Sequence, residues 1–207
     1  AVNDITAVID GGEISISEAI ENITKKVTPD LVGLFTTGLT ETKGDDIKGA
    51  SLLLQDKQTI VYVHTPDFEG GLESGWSLSV QAIISQLIAP TTECKHDKVL
   101  LIPNVNLSPI EVEKLKEALE LFDFDVLALP DLSDSLDGHL GVKQGALSSG
   151  GISVADIEKL GNAGLVISIG YSVKKCGELF KEKFAQSTHL HFDSLMGLET
   201  CDAFYAK

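Results

Sequence analysis

No apolar run in this chain approaches the roughly 20 residues that a membrane-spanning helix requires. Residues 1–13 also lack the basic and apolar regions of a signal peptide, so a cytoplasmic setting is expected. Positive charge is scarce: 16 basic against 31 acidic side chains give a net charge of -15, which repels nucleic-acid backbones and anionic membranes. Protein or small-molecule partners remain. Cysteine is scarce as well. Cys94, Cys176 and Cys201 are odd in number, far apart and without CxxC spacing, which excludes a disulfide framework and a self-contained zinc or iron-sulfur site. Neither GxGxxG nor GxxxxGK[ST] occurs, leaving the two commonest nucleotide sites of α/β sheets without support. The nucleophile elbow GxSxG is missing too.

What is present is an alternation of helix and strand. With 207 residues and 43% hydrophobic content, the chain can bury a sizeable core in one or two domains. Residues 15–27 carry a helical stripe of Ile16, Ala19, Ile20, Ile23 and Val27. Residues 31–35 and 59–64 are short apolar runs of the kind found in strands covered on both faces, with a helix expected over 45–54 between them. Residues 65–71 have loop chemistry, and 72–88 read as a long helix with Trp76, Val80, Ile83, Ile84 and Leu87 inward. Beyond a polar linker at 90–95, strands are predicted at 98–102, 125–129, 164–169 and 188–192. Helices are predicted over 153–160, 173–184 and 199–205, and after the Ser108-Pro109 cap, where Val112, Leu115, Leu119 and Phe122 form the inner face. The expected class is α/β, in Rossmann-like three-layer units with parallel sheets. Residues 1–94 form the carboxyl-terminal part of a first unit, and 95–207 a second unit plus the start of a connecting helix. The pattern stops mid-helix, which predicts a fragment of a larger subunit.

Several side-chain groups invite chemistry. Residues 36–46 leave the carboxyl end of a strand, where ligands collect in parallel sheets, and offer Thr36, Thr37, Thr40, Glu41, Asp45 and Asp46. A threonine nucleophile there needs a base, for which His64 is the one candidate; Asp45 and Asp46 equally serve to start the next helix. His189 and His191 alternate along a strand and could form a metal pair with Asp193. A stable site needs three or four ligands, so ordinary strand histidines are the competing reading. Asp131, Asp134 and Asp137 lie in the irregular segment 130–151, a candidate functional loop in which turn and cap roles compete with acid/base chemistry.

The string Val32-Gly33-Leu34-Phe35-Thr36-Thr37-Gly38-Leu39-Thr40-Glu41-Thr42-Lys43-Gly44-Asp45-Asp46, followed by His64-Thr65-Pro66-Asp67-Phe68-Glu69-Gly70, resembles the nitrogenase component 1 family. The resemblance continues through Leu129-Pro130-Asp131-Leu132-Ser133-Asp134-Ser135-Leu136-Asp137-Gly138-His139-Leu140 and Ser149-Gly150-Gly151-Ile152-Ser153-Val154, in order and over nearly the whole chain. Catalytic β-subunits of that family carry a P-cluster cysteine after the paired threonines and a serine between the later proline and phenylalanine. Gly38 and Asp67 stand in those places. A glycine supplies no thiolate. The two departures are similar to the β-like subunit of the scaffold on which the iron-molybdenum cofactor precursor matures.

That resemblance implies a heterotetramer with a NifE-like α-type subunit, NifB as precursor donor and the nitrogenase iron protein as a further partner. An iron-sulfur cluster and the cofactor precursor belong to the full complex, with none bound by this stretch alone. It places Thr37, Gly38, Glu41 and Asp67 near the interface cluster, assigns no catalytic residue and no metal ligand, and predicts no independent turnover, although the family carries oxidoreductase activity. Gly38 would then leave room for a smaller cluster. The alternatives are a stand-alone α/β enzyme or small-molecule binding domain using the turn at 36–41, or a divergent nitrogenase β-subunit.

Overall fold

A computed structural model of the chain describes residues 12–44, 46–132 and 150–207. Those residues fall into two compact units that part between Gly71 and Leu72.

The first unit holds α1 (Glu13–Thr24), β1 (Val32–Phe35), α2 (Gly38–Lys43), α3 (Ile47–Leu54) and β2 (Ile60–Val63). The two strands pair in parallel, with Phe35 beside Val63. Ile16 and Ile20 of α1 and Ile47, Ala50 and Leu54 of α3 form the core over Leu34, Ile60 and Tyr62. The helix expected at 15–27 is thus present but shorter by its last turn, and of its stripe Ile16 and Ile20 are buried while Ile23 is exposed. β2 buries Val61 and Val63, whereas Gly33 and Phe35 of β1 are exposed, so the expected cover on both faces fails for β1. Gly33 has a steric reason: a Cβ there would stand 2.7 Å from Cε2 of the Phe35 ring.

In the second unit, α4 (Leu72–Gln86), β3 (Lys95–Pro103), α5 (Pro109–Glu120), β4 (Asp125–Ala128), α6 (Val154–Glu158), β5 (Ala163–Ile169), α7 (Lys174–Lys183), β6 (Thr188–Phe192) and α8 (Leu198–Tyr205) build a doubly covered sheet. Its strands are all parallel, in the order β4-β3-β5-β6. Val80, Ile84, Leu100, Ile102, Val166, Phe180 and Phe184 pack between the sheet and α4 and α7. Val99, Leu101, Val112, Leu119, Val126 and Ile167 pack on the opposite face, beneath α5. Phe204 of α8 meets Phe192 there, ring centroids 5.3 Å apart. Such two-faced burial is why β3 reads as an unbroken apolar run. The sequence expectation divides the chain near Cys94, at a polar linker. By packing, α4 precedes that linker yet belongs to the second unit, because Val80 and Ile84 sit in its core and Lys183 Nζ donates to the carbonyls of Ile84, Ser85 and Ile88 at 2.8, 3.0 and 2.9 Å.

Candidate functional site

The carboxyl ends of β1 and β2 lie side by side, and polar side chains knit them together. Thr36, 4% exposed, continues the ladder through its N–H to the Val63 carbonyl at 3.2 Å. Its hydroxyl donates to Glu41 Oε1 at 2.5 Å and accepts the Thr65 N–H at 2.8 Å, while the Thr65 hydroxyl returns a bond to the Thr36 carbonyl at 2.9 Å. His64 Nδ1 lies 2.6 Å from the same Glu41 oxygen. These two hydrogen bonds, Thr36's first, hold the Glu41 carboxyl below its usual range.

The turn expected over 36–46 contains a helix instead. Thr37 has extended backbone and donates its N–H to Thr40 Oγ1 at 2.8 Å, opening α2. Gly44, at φ 76°, closes it in the left-handed conformation that glycine adopts without steric penalty. Asp46 then caps α3, accepting the Gly49 N–H at 2.8 Å, which is the helix-starting role foreseen for it. Asp45 lies outside the described residues.

Gly38 is buried at the first position of α2. A Cβ built on it would overlap Asp67 Oδ1 and stand 3.1 Å from Asp67 Cγ and 3.0 Å from Phe68 Cδ1. The missing side chain therefore does not leave empty room. The Asp67 carboxylate already lies in that place.

The nucleophile reading fails on this geometry. Glu41 stands between Thr36 and His64, and the Thr36 hydroxyl is committed to a carboxylate and an amide. Thr40 donates to the Thr37 carbonyl at 2.9 Å. The metal-pair reading of His189 and His191 also fails. Both rings do share one face, but His189 Nε2 and His191 Nδ1 turn to the buried hydroxyl of Ser168 at 2.7 and 2.9 Å, and His191 Nε2 meets Asp193 Oδ1 at 2.9 Å. Among the described residues, no three His, Cys, Asp or Glu side chains are grouped to hold a metal ion. Asp131 is paired with Lys116 at 2.7 Å; Asp134 and Asp137 lie outside the described residues. Cys176 is buried, which pushes its thiol up, while Cys201 Sγ points to the Leu195 carbonyl at 3.1 Å and Cys94 Sγ to that of Gln186 at 3.8 Å.

For an iron-sulfur cluster, the side chains of Thr37, Glu41 and Asp67 offer oxygen alone and Gly38 offers nothing. Such a set does not fit thiolate ligation. Sequence reasoning also missed a cavity of about 450 Å³ in the second unit, lined by Leu107, Leu115, Ile169, Leu195, Met196 and Phe204. It opens at the carboxyl ends of β3 and β5, from which the strand order runs in opposite directions; that topology, rather than any motif, is its signal.

The family model described as nitrogenase component 1 type oxidoreductase matches residues 4–207. A nitrogenase iron-molybdenum cofactor biosynthesis protein NifN of Rhodobacter capsulatus is 35% identical over 99% of this chain and 46% of its own length. A NifN of Nostoc sp. is 30% identical over 99% of this chain and 47% of its own, and one of Klebsiella pneumoniae 31% over 97% and 45%. The chain thus spans just under half the length of these curated relatives. Among solved structures, nitrogenase Cp1 at pH 6.5 matches with a TM-score of 0.89 at 25% identity, over 98% of this chain and 45% of that one.

Proposed function

Because the chain belongs to the nitrogenase component 1 type oxidoreductase family, we propose that it is part of a scaffold subunit for nitrogenase iron-molybdenum cofactor biosynthesis, of the NifN kind. The full subunit pairs with a NifE-like α-type subunit in a heterotetramer in the cytoplasm. It takes a cluster precursor from NifB and works with the nitrogenase iron protein. Thr37, Gly38, Glu41 and Asp67 lie near the cluster at the subunit interface in this reading.

One observation carries the proposal. At the ends of β1 and β2, Thr36, Glu41, His64 and Thr65 are linked by hydrogen bonds, yet the corner holds a carboxylate over a glycine where the resemblance puts a thiol in a catalytic β-subunit. A site that passes a precursor onward must release it, and the loss of a thiolate weakens iron-sulfur ligation directly. The chain's likeness to NifN proteins over 97–99% of its length agrees with this.

The test is co-expression of the full-length chain with a NifE-like subunit, followed by native mass spectrometry and iron analysis under anaerobic conditions. Partner-dependent assembly with bound iron supports the scaffold. A monomer that retains a metabolite supports a stand-alone binding domain, and substrate reduction by the assembled protein supports a divergent catalytic β-subunit.

A further inference from the structure

Ser168 lies on β5 and is fully buried, yet two imidazoles of the neighbouring strand converge on its hydroxyl, His189 Nε2 at 2.7 Å and His191 Nδ1 at 2.9 Å. The other nitrogen of His191 meets Asp193 Oδ1 at 2.9 Å, where the chain leaves β6. Gly177 of α7 makes the arrangement possible, since a Cβ there would overlap the His189 ring.

With both rings neutral, the partner of each nitrogen assigns its proton. A carboxylate only accepts, so His191 is protonated on Nε2 and turns the Nδ1 lone pair to Ser168. The Ser168 hydrogen goes to that lone pair, and its oxygen accepts from His189, which is therefore protonated on Nε2. His189 Nδ1 has no hydrogen-bond partner among the described residues. Every bond then points one way, from His189 through Ser168 and His191 to Asp193. One added proton lets the same groups satisfy each other in the opposite sense: His191 Nδ1–H donates to Ser168, Ser168 donates to His189 Nε2, and His189 keeps its proton on Nδ1. The Asp193 bond survives in both arrangements.

We propose that Ser168, His189, His191 and Asp193 form a one-proton switch, in which a proton taken up at His189 Nδ1 reverses the chain of hydrogen bonds and comes to rest on His191, against Asp193. Solvent supplies the proton. The Nε2–H bond of His189 breaks as a new Ser168 O–H bond forms, and the old O–H bond breaks as Nδ1–H forms on His191; no electron is gained or lost. Charge decides where the proton rests. On His191 it lies against a carboxylate. On His189 it is opposed by burial, then by His191 and by Lys174 of α7, with Glu178 of the same helix pulling the other way; β5 has no titratable side chain. Asp193 stands at the rim of the cavity lined by Leu195 and Met196, so a proton bound on the α7 side of the sheet offsets a negative charge at that rim. None of this depends on the scaffold reading.

The experiment uses the full-length protein with nitrogen-15-labelled histidine, read by magic-angle-spinning NMR, the two rings being assigned by the signals that His189→Gln and His191→Gln remove. From about pH 8 to about pH 5, where histidines titrate, His191 should gain a second proton while His189 stays neutral and its single proton moves from Nε2 to Nδ1 in the same step. Ser168→Ala breaks the path, and His189 should no longer change tautomer as His191 titrates. Asp193→Asn, a change at an exposed group, should weaken proton binding by the pair about two- to fivefold and keep the tautomer exchange. A His189 tautomer that stays constant through the titration, a proton found on His189 while His191 remains neutral, or an undisturbed exchange in Ser168→Ala overturns the proposal. So does a proton affinity in Asp193→Asn equal to wild type. If Ser168→Ala does not fold, the wild-type tautomers and Asp193→Asn decide alone.

Discussion

Glu41 concentrates two hydrogen bonds on one oxygen, and its charge is what holds Thr36 and His64 in place. Its carboxyl is lowered from 4.5, so the stabilisation is complete above that value and is lost as pH falls through the lowered one. Glu41→Gln should therefore narrow its stability gap to wild type as pH drops below 4.5 in urea unfolding; a gap constant with pH would remove this role. His189 works in the opposite range. Burial, and then the charge of His191, lower it from 6.5, with Lys174 adding to the effect and Glu178 opposing it. The unfolded chain binds the proton more readily, so stability declines as pH falls below 6.5 toward the lowered value. His189→Gln, whose amide can still hydrogen-bond Ser168 without titrating, should flatten that slope. Deeper in the core, Phe180 is fully buried against Phe184. Phe180→Ala should cost about 3–5 kcal/mol in chemical denaturation.

Among the elements, those with a strong period were legible before any coordinates. α4 and α5 follow their apolar stripes, and the Ser108-Pro109 start is confirmed as a capping box with Glu111, whose Oε2 accepts the Ser108 N–H at 2.7 Å. Ser108→Ala should lower stability by about 1 kcal/mol in the same denaturation assay. Phe122 is the exception on that stripe. The helix stops at Glu120, Asp123 turns at φ 64°, and the ring ends 59% exposed. α2 was not legible as a helix, because Gly-Leu-Thr-Glu-Thr-Lys has no apolar period; the Thr37–Thr40 cap and Gly44 define it locally. The site was half legible for a similar reason. The threonines and His64 were visible as types, but the link through Glu41 depends on parallel register bringing Phe35 beside Val63, 28 residues apart in sequence.

For the whole chain, the division between Gly71 and Leu72 follows a loop rich in exposed groups, with Phe68 66% and Leu72 73% exposed and Gly70 at φ 72°. Backbone of this kind is where proteases enter. Brief chymotrypsin treatment should cut after Phe68 and leave a fragment beginning at Glu69, read by mass spectrometry; a first cut within β3 or β5 would contradict the division. The excess of acid, 31 against 16 basic side chains, gives the chain a net charge of -15. A partner that docks on it is therefore expected to bring positive charge, and the rate of assembly should fall as salt rises.

The carboxylate lying over Gly38 also has a consequence for descent. Exchange between an oxygen-bearing and a thiol-bearing corner takes two substitutions, and a side chain at position 38 requires the Asp67 carboxylate to swing aside or shorten. A small side chain at 38 is therefore best accommodated together with a shorter residue at 67, which leaves the space beside Phe68 Cδ1 as the remaining constraint.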